Sequence, residues 1–228
     1  MTHFSDSLRV GDAWYGRANA DKGYTVPKVA VVEFGAVTVA AAGAVVDTIN
    51  TTGAGTISAT GSLVSGGVAT FDVARNVSVT ATGSMTGFTY TVAGTDQYGE
   101  TVTETIIGPT GSGVARAGVK AFKTVTSITT TGSNGQAISV GTGTKLGVPY
   151  RIADKGKVLG MAVDGVQETA LTVVAGYLTT SNASTATTAD VRGTVSPNTA
   201  PNGAKLFSLQ FIVGDADTQA GLYGLAQA

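Results

Sequence analysis

Hydrophobic and polar residues alternate with a period of two through the middle of the chain. Val77, Val79 and Ala81 fall on one side, and Ser78, Thr80 and Thr82 on the other. Phe88, Tyr90 and Val92 repeat the pattern, with Thr89, Thr91 and Ala93 between them. Alternation carried by β-branched and aromatic residues predicts half-buried strands. The turn residues agree. Tyr90–Asp96 runs into Gln97-Tyr98-Gly99, and Glu100–Ile107 follows, which predicts a hairpin closing on glycine. Asn134-Gly135 predicts a second tight turn, joining strands at Phe122–Thr131 and Gln136–Val140.

The pattern continues outside this region. Lys157–Val163 and Leu171–Leu178 read as strands around an Asp164-Gly165 turn, and Lys205–Val213 as a strong final strand. Residues 179–203 are mostly small and polar, which predicts a long loop or arm. Only Asp215–Leu225 could hold a helical turn. The longest apolar stretch, Val29–Val46, is broken by Glu33, Thr38 and two glycines. It falls short of the roughly 20 predominantly apolar residues a membrane span needs. Its valines predict buried β structure instead.

Many short strands separated by turns predict an all-β fold, an antiparallel β-sandwich or barrel of Ig-like or jelly-roll-like kind. We divide the chain into an extended N-terminal arm (1–28), a β-sandwich core (29–150), and residues 151–228 as a second β subdomain or the completion of the core. The arm differs in kind from the rest. It carries Phe4, Trp14, Tyr15, Tyr24 and a cluster of charges. Aromatics with one wet end suit either an interface or a staple onto their own domain.

Composition narrows the chemistry. The chain has 228 residues, of which Gly and Thr together make up nearly a third. Charged residues are 13% and the hydrophobic fraction is 43%. This argues against disorder and against a long coiled coil. There is no cysteine, so disulfides, thiolate metal sites and cysteine nucleophiles are excluded. The single histidine, His3, leaves no multi-histidine zinc site and argues against a Ser-His-Asp triad. A net charge of −1 offers no basic footprint for nucleic acid or an anionic membrane. The first residues lack a basic segment followed by an apolar run, so synthesis in a cytosol without Sec export is expected.

No reactive constellation stands out. Glu100 and Glu104 share one strand face about 13 Å apart, beyond the roughly 5–10 Å of a glycosidase pair. Flanked by Thr101 and Thr103, they read as a solvated face. Asp215 and Asp217 match the start of a calcium loop, but Ala220 holds the glycine position and no acid closes it. Gly108–Gly113 lacks the Lys-Ser/Thr ending of a phosphate loop, and Gly141–Gly147 lacks the third glycine of a dinucleotide fingerprint. Both read as turns. No Gly-x-Ser-x-Gly elbow occurs. The expectation is a non-enzymatic protein without cofactor or metal, working by surface contact.

Four runs carry a resemblance. They are Phe71–Gly83, Tyr90–Ile106, Val119–Ile128 and Val140–Pro149, with Asp190–Gly203 as a later match. In style and order they resemble structural proteins of tailed-bacteriophage virions, especially capsid decoration (cement) proteins. The resemblance covers about residues 71–203. It implies a protein on the capsid exterior that binds the major capsid protein, assembles with itself as a homotrimer, and stabilises contacts between capsid subunits. The aromatic arm (Phe4, Trp14, Tyr15, Tyr24) and the 179–203 loop would reach neighbours. The alternative is a fibre or tail protein binding a host glycan or receptor, with loop aromatics such as Tyr98 stacking on sugar rings. An enzyme such as a polysaccharide depolymerase would need two carboxylates brought together by the fold.

Overall fold

A computed structural model describes residues 28–149, 152, 155–175 and 193–213. The arm residues Phe4, Trp14, Tyr15 and Tyr24, His3, the calcium-like Asp215 and Asp217, and the predicted helical turn at Asp215–Leu225 lie outside these residues.

The described chain is all-β and every strand pairing in it is antiparallel. The strands are β1 (Lys28–Ala36), β2 (Val46–Asn50), β3 (Gly55–Ile57), β4 (Val64–Ser65), β5 (Val68–Ala81), β6 (Thr89–Thr95), β7 (Thr101–Ile107) and β8 (Arg116–Ala117). They continue with β9 (Phe122–Thr130), β10 (Ala137–Gly147), β11 (Val158–Val163), β12 (Val166–Gln167), β13 (Leu171–Ala175), β14 (Gly193–Pro197) and β15 (Leu206–Val213). The small sheet runs β1-β15-β11-β12. The large sheet runs β13-β14-β10-β5-β9-β6-β7, with β2 on β10, β3 on β9, and β4 and β8 on β5.

Two apolar cores follow from this wiring. Phe71, Val77, Val79, Tyr90, Val92, Phe122, Ile128, Ile138 and Val140 come from strands of one sheet, yet pack into a single buried cluster. A sheet can enclose its own side chains only by curling, and the large sheet curls into a half-barrel. The second core lies between the sheets. Val32, Phe207, Leu209, Phe211 and Met161 of the small sheet meet Leu146 and Val195 of the large one.

The first hairpin forms as its turn residues predict, but the second does not: β9 and β10 are joined through Gly135, yet they lie on either side of β5 and pair with it and not with each other. β6 and β7 pair without a break from Thr89↔Ile107 to Thr95↔Thr101, and Gly99 and Gly135 hold left-handed backbone (φ 86° and 83°) that only glycine adopts freely. The high threonine content becomes cross-strand hydroxyl pairs. Thr95 and Thr124 Oγ1 lie 2.7 Å apart, and Thr91 and Thr105 Oγ1 3.2 Å.

Three further expectations need correction. Gly141–Gly147 is strand, not turn. Its glycines are there because a Cβ at Gly141 would collide with the Ala41 carbonyl, and one at Gly143 with the Asn76 side chain. Within 179–203, Gly193–Pro197 is a strand wedged between β13 and β10, with Thr194 and Val195 buried. Of the apolar stretch Val29–Val46, only Lys28–Ala36 and Val46 are strand, and Val29, Val31 and Val39 are exposed.

Candidate functional site

Two places in the fold depart from the rule of apolar inside and polar outside. The first is the outer face of the small sheet. In β1, Ala30, Val32 and Phe34 point inward, and Val32 is buried in one cluster with Leu209 and Phe211. The odd positions point the other way. Val29 pairs with Ile212, Val31 with Gln210 and Glu33 with Ser208, placing all six on the outer face. Val29 and Val31 are 60% and 53% exposed, and Leu206 on the same face of β15 is 55% exposed. Leu159 and Val166 add exposed apolar surface on β11 and β12. Among the described residues β1 pairs with β15 alone, so its other edge presents backbone donors and acceptors to whatever approaches.

The second place is a polar seam inside the large sheet. β5 and β10 fall out of register between Thr142 and Leu146, and β5 and β9 between Thr70 and Arg75. A register break leaves backbone groups without ladder partners, and side chains take their place. Arg75, fully buried on β5, donates from Nε to the Gly143 carbonyl at 2.9 Å and from Nη1 and Nη2 to the Thr38 carbonyl at 3.1 Å. Its Nη1 also meets Asp72 Oδ1 at 3.2 Å. Lys123 Nζ donates to the Phe71 and Asp72 carbonyls. Burial pulls the Arg75 pKa down, against the charge of Asp72. Burial also works to raise the Asp72 pKa, but hydrogen bonds from the Thr38 and Val73 amides and the Thr38 hydroxyl, with the Arg75 charge, outweigh it and lower the pKa.

Next to this pair, Asn76, Glu104 and Lys145 converge on Gly118, and Lys120 Nζ donates nearby to the Thr103 carbonyl. Asn76 Nδ2 and Lys145 Nζ both donate to the Gly118 carbonyl, each at 2.9 Å. The Lys145 amide donates to Asn76 Oδ1 at 2.9 Å. Glu104 accepts from the Val119 amide (Oε1, 2.7 Å) and the Lys120 amide (Oε2, 3.2 Å). A Cβ on Gly118 would collide with Glu104 Oε2, so glycine is what lets the carboxylate close in. Burial raises the Glu104 pKa, opposed by the two amide bonds and the charges of Lys120 and Lys145. Burial lowers the Lys145 pKa, opposed by Glu104. A cleft of about 220 Å³ between β7 and β8 reaches Glu104, lined also by Ile106, Arg116 and Gly118.

This corrects the reading of Glu100 and Glu104 as one solvated face. Glu100 is exposed, but Glu104 is only 4% exposed and lies inward between Val102 and Ile106. The signal was present in the sequence, because Val102, Glu104 and Ile106 share one parity and the threonines hold the other. The fold therefore does not bring these two carboxylates together. Tyr98 sits at the tip of the β6–β7 hairpin, 46% exposed as a residue, with its hydroxyl donating to the Pro149 carbonyl. Among the described residues, no three His, Asp or Glu side chains gather as a metal cage, and no helix is long and apolar enough to cross a membrane.

Comparison with known proteins finds no matching family model, no matching curated protein and no matching solved structure.

Proposed function

We propose that this chain is a structural protein of a tailed-bacteriophage virion that binds the outside of the capsid and clamps neighbouring copies of the major capsid protein. It acts by contact, without cofactor, and as a homotrimer. The observation that carries this reading is the outer face of the small sheet. A patch of Val29, Val31 and Leu206 beside a β1 edge that no described strand covers suits docking against a flat protein surface. Its position adds to the argument, because β1 begins where the aromatic arm of residues 1–28 ends. A curled sheet crossed by buried side-chain to backbone bonds suits a rigid staple, and many weak contacts on a repeating lattice add through multivalency.

The deciding measurement is the copy number of this chain relative to the major capsid protein in purified particles, by quantitative mass spectrometry. A simple fraction of the capsid copies is expected. A handful of copies would move the chain to a fibre or tail, where exposed Tyr98 becomes the residue to test against glycans. Absence from particles overturns the virion reading. Deleting residues 2–24 should abolish shell binding while the β core stays folded, and retained binding would remove the arm from the interface.

A further inference from the structure

We propose that the chain cross-links itself on folding, forming an isopeptide bond between Lys145 Nζ and Asn76 Cγ with Glu104 as the proton shuttle. The inference stands apart from the virion reading and needs no partner. Lys145 and Asn76 sit on neighbouring strands, β10 and β5, inside the register break. Their side-chain nitrogens share one acceptor, the Gly118 carbonyl, so they lie no further apart than two 2.9 Å bonds laid end to end. That places the amine in the neighbourhood of the carboxamide, and attack needs Nζ to close on Cγ to about 3–3.5 Å.

The surrounding groups match the steps. The Lys145 amide already donates to Asn76 Oδ1, where negative charge develops as the amine attacks. Glu104 packs against Gly118, whose carbonyl carries both reacting nitrogens. Attack needs a neutral amine and a protonated carboxyl. Burial pushes both groups that way, raising the Glu104 pKa and lowering that of Lys145.

The atoms balance. The Lys145 Nζ lone pair forms a bond to Asn76 Cγ. The proton released by the amine passes through the Glu104 carboxyl to the departing Nδ2. The Cγ–Nδ2 bond breaks and ammonia leaves, and the cleft at Glu104 gives it a path out. Nothing is oxidised or reduced, and no co-reactant is used. The reaction happens once per chain, so it is a maturation step and not turnover.

The test is the intact mass of the purified, folded full chain, followed by peptide mapping. The expected mass is one ammonia below that of the sequence. A succinimide at Asn134-Gly135 would lose the same mass, so the map decides. Trypsin cuts after Arg75 but not after a cross-linked Lys145, so the expected product is one branched peptide holding both residues. Lys145→Met and Glu104→Gln should each remove the branched peptide and lower the melting temperature. Separate linear peptides from the folded wild-type chain, shown folded by a cooperative melt, would overturn the proposal. A branched peptide that survives Glu104→Gln unchanged would overturn the role of Glu104.

Discussion

β5 and β1 are both valine-rich strands, and they end up as opposites. β5 (VATFDVARNVSVTA) runs through the centre of the large sheet with neighbours on both sides. Its middle is buried on both faces, so Arg75 and Asn76 lie inside with Val77 and Val79. β1 (KVAVVEFGA) is the edge of the small sheet, and Val29 and Val31 lie outside. Polar residues are buried in one strand and apolar residues exposed in the other. The difference teaches that burial here is decided by what each strand lies between. A buried polar residue then means a backbone group that needed a partner, and an exposed apolar run means a surface still to be covered.

The largest effect should come from the buried seam. Arg75→Ala leaves the Gly143 and Thr38 carbonyls without this donor and takes one of several donors from Asp72, and each buried acceptor left unpaired costs about 1–3 kcal/mol, on top of the volume lost from a fully buried side chain. Urea unfolding should show a much lower midpoint with an unchanged slope. A similar loss of about 3–5 kcal/mol is expected from Phe122→Ala, since Phe122 is fully buried in the curled sheet's core. If the first variant matched wild type while the second fell, Arg75 would be replaceable and the seam would not be a structural requirement.

Gly143→Ala should cost less, about 1–3 kcal/mol, because the new methyl must displace the Asn76 side chain. The same variant should also disturb the shared acceptor at Gly118, so its peptide map doubles as a check on the cross-link.

The pH dependence sharpens the contrast further. The Asp72 pKa is lowered in the folded protein. Its contribution is therefore complete above the unfolded value, near pH 4, and is lost as pH falls below that. The Glu104 pKa is raised instead, so its ionisation works against folding as pH rises through the ordinary carboxylate range. Unfolding midpoints measured from pH 7 downward should drop at the acid end, and Asp72→Asn should flatten that drop. An unchanged acid limb in Asp72→Asn would assign it to other carboxylates.

The smallest effect on stability belongs to β1. Val29→Thr with Val31→Thr alters exposed positions only, and such changes stay within about 0.5 kcal/mol. The pair should nonetheless weaken binding to purified shells. A large loss of stability, or full binding with normal stability, would contradict the reading of this face.

Part of this was legible in advance. The hairpin at Gly99 and the left-handed backbone at Gly135 followed from local chemistry, which needs few neighbours, whereas the insertion of β5 between the strands that Gly135 joins did not. The inward position of Glu104 was legible by parity and was obscured by the flanking threonines. The strand Gly193–Pro197 was hidden, because its five residues sit in a Ser- and Thr-rich stretch and gain their burial from β13 and β10. Gly141–Gly147 looked like turn chemistry, since composition cannot tell a glycine needed for positive φ from one needed for close approach.

By itself, then, the sequence determined an all-β antiparallel chain, because alternation and turn residues act over a few positions. It also determined the absence of thiol chemistry. Only the tertiary structure decided that Asn76, Glu104, Gly118 and Lys145 meet, and that among the described residues β1 pairs on one side only. Those outcomes depend on strand order and on register breaks between residues far apart in the chain, where pairing is set by the sum of many contacts and no local pattern records it.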